Sequence, residues 1–337
     1  MNTLHITNNA KTALCAVAAM ALLSSCETIF YDEEQYRKEI YIVSGDNNII
    51  GQEYTFGDES VGYLSIYAAG TTEIEKDVDV ELEVYSDYLR SYNQRTYGDT
   101  YSSYVQELDP DYYSVESWKT TLKADSENPY VKFPIKVNIN NISLDETYYI
   151  PIRIKSVSDY MISEDKQNVL YRIYVKNDYA TTKSTTYYTM NGTEQSYTET
   201  DGVFTADGVA TAVNSTKSFI PTGEQSIRML PSTNYSTTAS VVRNQSVNVT
   251  VHPDEIIDIP VYNEGEFTGN YVKRQKVTVA TWQESSTSVT VGEIDDDPSY
   301  YDEENSTFYL NYRYKLSGET TWHFMHEVLT PLSITND

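Results

Sequence analysis

Six carboxylates crowd into the ten residues from Asp295 to Glu304. The chemistry open to them is cation binding, since hard oxygen ligands in a loop can hold Ca²⁺. Asp295, Asp296, Asp297 and Asp302 are the candidate ligands, but the EF-hand spacing and its glycine are missing, and a solvated acidic loop is the plain alternative. Asp77, Asp79 and Glu81 read D-x-D-x-E. They alternate with Val78 and Val80, as the wet face of a strand would. His323 and His326 are three apart on an expected strand, so they point to opposite faces and cannot share one metal. His252 stands alone before Pro253. No G-x-S-x-G elbow, P-loop or dinucleotide fingerprint occurs. The sequence therefore names no catalytic residue and no cofactor, and the expected class is non-enzymatic.

Aromatic side chains offer a different chemistry. Glycan binding needs exposed rings to stack on the apolar faces of sugars, with a polar rim for the hydroxyls. Tyr is abundant, at 32 of 337 residues. Trp118 follows Tyr112 and Tyr113 near an apparent loop, Trp282 ends the strand Val277–Ala280, and Tyr300 and Tyr301 sit in the acidic loop. These six are the candidate platforms; the alternative is half-buried packing at a sheet edge or barrel cap. Trp322 shares its side of a strand with Phe324 and is expected in the core.

Cysteine chemistry is confined to the N-terminus. Lys11 precedes an apolar run, Thr12 to Leu23, that is too short to span a bilayer and reads as a signal-peptide core. Leu23-Ser24-Ser25-Cys26 then fits a bacterial lipobox, with Cys26 as the lipidated residue. Two or three acyl chains, each worth ~0.8 kcal/mol per buried CH₂, would hold the chain to a membrane. Cys15 leaves with the leader, so the mature chain has no cysteine for a disulfide or thiolate. The remaining charge is strongly negative, with 50 Asp+Glu against 24 Lys+Arg. That balance disfavours nucleic acid and anionic polymer surfaces as partners.

The elements that must position these residues have period two. Val78, Val80, Leu82 and Val84 alternate with acids; Val131, Phe133, Ile135 and Val137 alternate with Lys132, Pro134 and Lys136. Ile150, Ile152 and Ile154, and Tyr171, Ile173 and Val175, repeat the pattern. Each run reads as a strand with one buried and one wet face. Pro134 and Pro151 should then mark edges or bulges. About seven strands before residue 180 suit a sandwich. Between Ser86 and Leu108 the tyrosines recur at three to five residues, which predicts a helical crossover packing a Tyr stripe on the sheet. Residues 180–186 read as a linker. Beyond them about eight strands, with no convincing helix, allow either an up-and-down barrel or a second sandwich.

The segment YYIPIRIKSVSDYMISEDKQNVLYRIYVKN (148–177) and the ending STFYLNYRYKLSGETTWHFMHEVLTPL (306–332), with the lipobox, resemble a lipoprotein group of gut Bacteroidetes. That group pairs a DUF1735 N-terminal domain with a DUF4361 C-terminal domain. The resemblance implies an all-β chain: an immunoglobulin-like β-sandwich followed by a lipocalin-like (calycin) β-barrel. It also implies a role in polysaccharide utilisation, binding a neutral glycan beside an outer-membrane importer. The expected organisation is a signal peptide over 1–25, a tether over 26–36, the sandwich over 37–179, the linker over 180–186 and the barrel over 187–337. Acidic residues after Cys26, from Glu27 to Glu34, resemble the signal that sends such lipoproteins to the outer face of the outer membrane. D-x-D-x-E also resembles the catalytic strand of family 18 chitinase-like hydrolases, but the usual preceding Asp-Gly is replaced by Ile74-Glu75. A structural or adhesion subunit that docks protein partners by strand addition is the alternative function.

Overall fold

The computed structural model describes residues 34, 36–57, 60–124, 126–140, 142–282 and 288–332. The leader, Cys26 and most of the tether lie outside the described residues. Strands β1 (Glu39–Ile42), β2 (Ile49–Thr55), β3 (Ser60–Ala69) and β4 (Val78–Val84) lead into helix α1 (Ser86–Tyr97). Then come β5 (Gln106–Glu107), β6 (Tyr113–Ser114), β7 (Lys119–Leu122), β8 (Tyr130–Val137), β9 (Tyr148–Val157), β10 (Met161–Ile162) and β11 (Asn168–Lys176). They form two sheets, ordered β10-β1-β3-β8-β6 and β2-β11-β9-β4-β7, with β5 beside β9.

The expected alternation is what closes the sandwich. Ile40, Ile42, Leu64, Ile66, Phe133 and Ile135 from one sheet meet Val80, Leu82, Ile152, Ile154 and Val169 from the other in a single core. Two tyrosines cross this core and satisfy each other: the Tyr54 and Tyr171 hydroxyls lie 2.7 Å apart, both buried. Gly62 makes the space for them, because a Cβ there would stand 2.1 Å from the Tyr171 hydroxyl oxygen. Burial pushes both phenols well above their ordinary range. The helix predicted between Ser86 and Leu108 is present as α1, ending at Gly98 (φ 56°). Leu89, Tyr88, Tyr92 and Tyr97 lay its apolar side on Tyr149 and Leu170 of the sheet. Pro151 departs from expectation: it sits in β9, which is flanked by β11 and β4. Pairing with β4 stops at Val84 opposite Ile152, so Pro151 lies just past the end of that ladder.

The second module is a closed barrel. Its strands are β12 (Thr186–Thr200), β13 (Val203–Ala206), β14 (Thr211–Gly223), β15 (Ser226–Met229) and β16 (Val247–Asn263). They continue as β17 (Glu266–Thr281), β18 (Val289–Glu293), β19 (Tyr300–Asp302), β20 (Thr307–Leu316) and β21 (Thr321–Pro331). The order β12-β14-β15-β16-β17-β19-β20 is closed by β21, which pairs with both β20 and β12. This selects the barrel from the two architectures the strand pattern allowed. At the seam, a Cβ on Gly192 would stand 2.0 Å from the His326 carbonyl oxygen, so only glycine permits the approach. An eight-stranded ring is just wide enough for side chains to fill. Tyr188, Met190, Phe219, Val249, Val279, Phe308 and Leu310 fill it here. A short helix that the sequence pattern had not announced, α2 (Ala239–Gln245), precedes β16.

The two modules share side chains across their junction. Tyr179 and Ala180, at the expected boundary, pack into the barrel core. The Asn177 amide donates to the Gly223 and Ser226 carbonyls, both at 2.8 Å. Asp145 of the sandwich takes Arg228 at 2.7 Å and Arg243 at 2.9 Å.

Candidate functional site

Of the six aromatic candidates, the structure brings Trp118 and Tyr113 together and separates the rest. The chain leaves α1, passes Pro110, and runs back along the sandwich edge through β6 to β7. This path sets Tyr113, Val115 and Trp118 opposite Leu82 and Val84 of β4, around an open cleft of about 450 Å³. The Leu82 N–H donates to the Trp118 carbonyl at 2.8 Å, which fixes the loop to β4. One side of the indole packs near Phe133, with ring centroids 5.8 Å apart, and the side chain remains part-exposed. Tyr112 lies behind, against the core.

The cleft lining is mainly apolar, with Glu81 and Glu83 bordering it. Glu81 is held by Lys155 at 2.7 Å, and that contact keeps its carboxyl below the ordinary range against the opposing effect of burial. Glu83 pairs with Arg153, whose guanidinium also lies over the Tyr85 ring. Burial, and then the charges of Glu107 and Asp109, raise the Tyr113 phenol. Such a site can stack a ring and accept hydrogen bonds from hydroxyls. The neighbouring D-x-D-x-E acids are engaged: Asp77 by Lys123 at 2.6 Å and Asp79 by the Thr121 hydroxyl at 2.7 Å. Lys123 pulls the Asp77 carboxyl down as well. A general acid at neutral pH needs the opposite shift.

The other candidates are used elsewhere. Trp282 lies at the module junction, with the Arg228 guanidinium 5.2 Å from its ring centroid. Period two splits Tyr300 from Tyr301. Tyr301 points into the barrel, 8 % exposed, between Tyr179 and Phe308, so it is not a platform. Tyr300 faces outward but stacks on Tyr309 at 4.5 Å and 13°, which occupies one ring face. Burial and Tyr309 push its hydroxyl up to about 12. Trp322 and Phe324 are buried as expected, although outside the barrel wall, against Phe204 of β13.

The acidic loop spends its carboxylates on the protein's own donors. Asp302 pairs with Arg274 at 3.1 Å, and Asp297 accepts from the Asn311 amide at 2.7 Å. Asp295, Asp296 and Asp297 line a cleft of about 310 Å³ together with Lys276. Among the described residues no three His, Cys, Asp or Glu side chains stand close enough to hold a metal ion. His323 and His326 do face opposite ways: His323 reaches Glu194 at 2.7 Å and His326 reaches Asn311 at 3.2 Å.

Sequence reasoning missed the aromatic cluster on the barrel's long hairpin. The long hairpin of β16 and β17 carries exposed Tyr262, Phe267 and Tyr271, with centroids 5.9 and 5.3 Å apart in succession. Glu264 and Gly265 at its turn, both at positive φ, were the available signal.

A mixed-sheet sandwich joined to a filled eight-stranded barrel, with an aromatic cleft at the sandwich edge, defines a two-module β protein. Family models of an N-terminal domain and its companion C-terminal domain match residues 36–161 and 167–330. The chain belongs to this two-domain family. A Bacteroides ovatus protein of unknown function superposes with a TM-score of 0.57 at 15% identity, covering 87% of this chain and 94% of that one. A multidomain protein including DUF1735, from the same species, gives 0.54 at 15% identity, covering 88% and 95%. An auxiliary nutrient binding protein from Bacteroides thetaiotaomicron gives 0.53 at 14% identity, covering 85% and 91%. No curated protein matches the sequence.

Proposed function

We propose that this chain is a non-catalytic lipoprotein of the outer cell surface that holds a glycan for uptake. The observation that carries the reading is the open Trp118–Tyr113 cleft, an apolar lining with two rings. The lowered carboxyls of Asp77 and Glu81 support binding over hydrolysis. Lipidation at Cys26 would keep the site at the membrane, beside an importer that takes over the captured sugar. The nutrient-binding description of one Bacteroides relative is in keeping with this role.

Affinity electrophoresis through gels containing neutral polysaccharides tests the proposal. Retardation is expected in at least one glycan, weakened about tenfold in apparent affinity by Trp118→Ala, since stacking and its buried area are worth ~1.5 kcal/mol or more. Free migration across a broad panel would overturn it. Fatty-acid labelling that marks the native protein but not Cys26→Ser checks the anchor. The exposed aromatic hairpin favours a second reading, a docking subunit for protein partners. Shortening that hairpin would then abolish partner binding and leave glycan retardation intact.

A further inference from the structure

The solvent face of the first sandwich sheet carries tyrosine where a wet strand face usually carries charge. Ile40, Ile42, Leu64, Ile66, Phe133 and Ile135 point inward, so the alternate positions of β1, β3 and β8 point out. Those positions include Tyr41, Tyr63, Tyr67 and Tyr130. Register aligns three of them: Tyr41 lies opposite Tyr67, and Tyr67 opposite Tyr130. The result is a row of rings crossing three strands at right angles, at the strand spacing of ~4.8 Å. The Tyr41 and Tyr67 centroids are 5.4 Å apart. One row along, Ser65 faces Lys132, whose ammonium lies 5.8 Å from the Tyr63 centroid. Tyr63 and Tyr130 are 45% and 37% exposed.

Two further features bear on what could lie there. Tyr67 also lines a cleft of about 210 Å³ at the sandwich end, where Thr71, Thr72, Ser126 and Asn128 are polar neighbours and Glu73, Glu127 and Lys123 charged ones. The outward faces of the strands themselves carry few acids. Among the outward positions of these three strands the one carboxylate is Glu39, and Lys132 stands beside the rings, in a chain whose net charge is −26.

We propose that this face binds a short oligosaccharide running across the strands, with a uronate carboxylate seated at Lys132. The proposal rests on the glycan reading above and adds a second site and a class of sugar. The repeat of an extended pyranose chain is close to the strand spacing, so successive sugars meet successive rings. The ammonium supplies a charge-assisted hydrogen bond to the carboxylate. Charges elsewhere on the molecule are screened beyond ~8 Å at physiological salt, so a short acidic ligand seated over Tyr63 experiences Lys132 above all. A long polyanion would meet the rest of the acidic surface and be rejected.

Calorimetric titration of the full chain tests this with trigalacturonate, a glucuronate-bearing xylo-oligosaccharide, and the methyl ester of each. At least one acid should bind about tenfold tighter than its ester, and raised salt should erase the difference. Lys132→Gln should remove the preference for the acid, whereas Tyr67→Ala and Tyr130→Ala should weaken acid and ester alike by about tenfold. These are surface positions, and unchanged melting temperatures will certify the variants. If neither acid outbinds its ester, or if the Tyr67, Tyr130 and Lys132 variants all bind as the native chain does, the proposal is wrong. Neutral glycan retardation lost in Trp118→Ala alone would then leave the broader reading standing. Absence of any saccharide binding would remove both.

Discussion

Lys217 and Glu327 meet inside the barrel at 2.8 Å, both buried. Glu327 also accepts from the Tyr312 hydroxyl at 2.8 Å and from the Ser232 N–H at 3.1 Å, and Lys217 donates to the Leu230 carbonyl at 3.0 Å. Burial drives the lysine pKa down and Glu327 opposes it, while burial and the same carboxylate drive the Tyr312 phenol well up. A buried pair of this kind adds little net stability, but removing one partner strands the other charge at a cost of about 3–5 kcal/mol. Lys217→Met should therefore lower unfolding free energy by that amount. Adding Glu327→Gln should restore most of it, because the amide oxygen still serves Tyr312 and Ser232 without a charge. Urea unfolding of the two variants checks this, and equal losses in both would show that the stranded charge is not the cause.

At the scale of elements, the junction between modules hangs on unequal partners. Arg228 in β15 is 4% exposed and covered by Trp282, whereas the Arg243 side chain on α2 is 43% exposed. Asp145 serves both, so Asp145→Ala should cost several times more than Arg243→Ala, which loses only a solvent-screened contact of ~1 kcal/mol or less. Thermal unfolding compares them, and matching shifts would contradict the asymmetry. These pairings also mark where legibility ended. Alternation exposed β4, β8, β9 and β11, although α1 also covers Tyr149 and Leu170 on the other face of β9 and β11, and the Tyr spacing exposed α1. Nothing local announces that β12 closes on β21, since that ladder joins Tyr188 to Pro331 across most of the module. Nor does the sequence beside Trp282 reveal an arginine arriving from β15. Tyr301 was a different failure: strict period two beside Tyr300 already sent one of them inward, and the loop-like acids around them hid the strand. Trp118 and Tyr113 were found because they are near neighbours in the chain. The row of Tyr41, Tyr67 and Tyr130 needed the register.

Over the whole molecule, two electrostatic effects of opposite sign compete. The excess of 50 acids over 24 bases makes the compact state repel itself at neutral pH. Individual carboxylates do better when ionised: Glu34, Asp77, Glu81 and Glu255 are held below their ordinary values by Lys38, Lys123, Lys155 and Lys276. A lowered carboxyl contributes stability above its unfolded pKa and loses it as pH falls through the folded one. Acid should therefore help at first, as the general repulsion fades toward the isoelectric point near 4.4, and then harm as these pairs are protonated. Salt separates the two effects. Raising ionic strength from about 0.01 M to about 0.15 M shortens the screening length from ~30 Å to ~8 Å, which removes long-range repulsion but barely touches contacts at hydrogen-bond distance. The melting temperature at about pH 7 should consequently rise with added sodium chloride, because each exposed pair is worth only ~0–1 kcal/mol while the unbalanced charge acts everywhere. Near pH 5 the same addition should do little or lower it slightly, since repulsion is then small and only attractive pairs remain to be screened. Calorimetric scans at both pH values decide it. A melting point that falls with salt at neutral pH would mean that specific ion pairs, and not the net charge, dominate the surface.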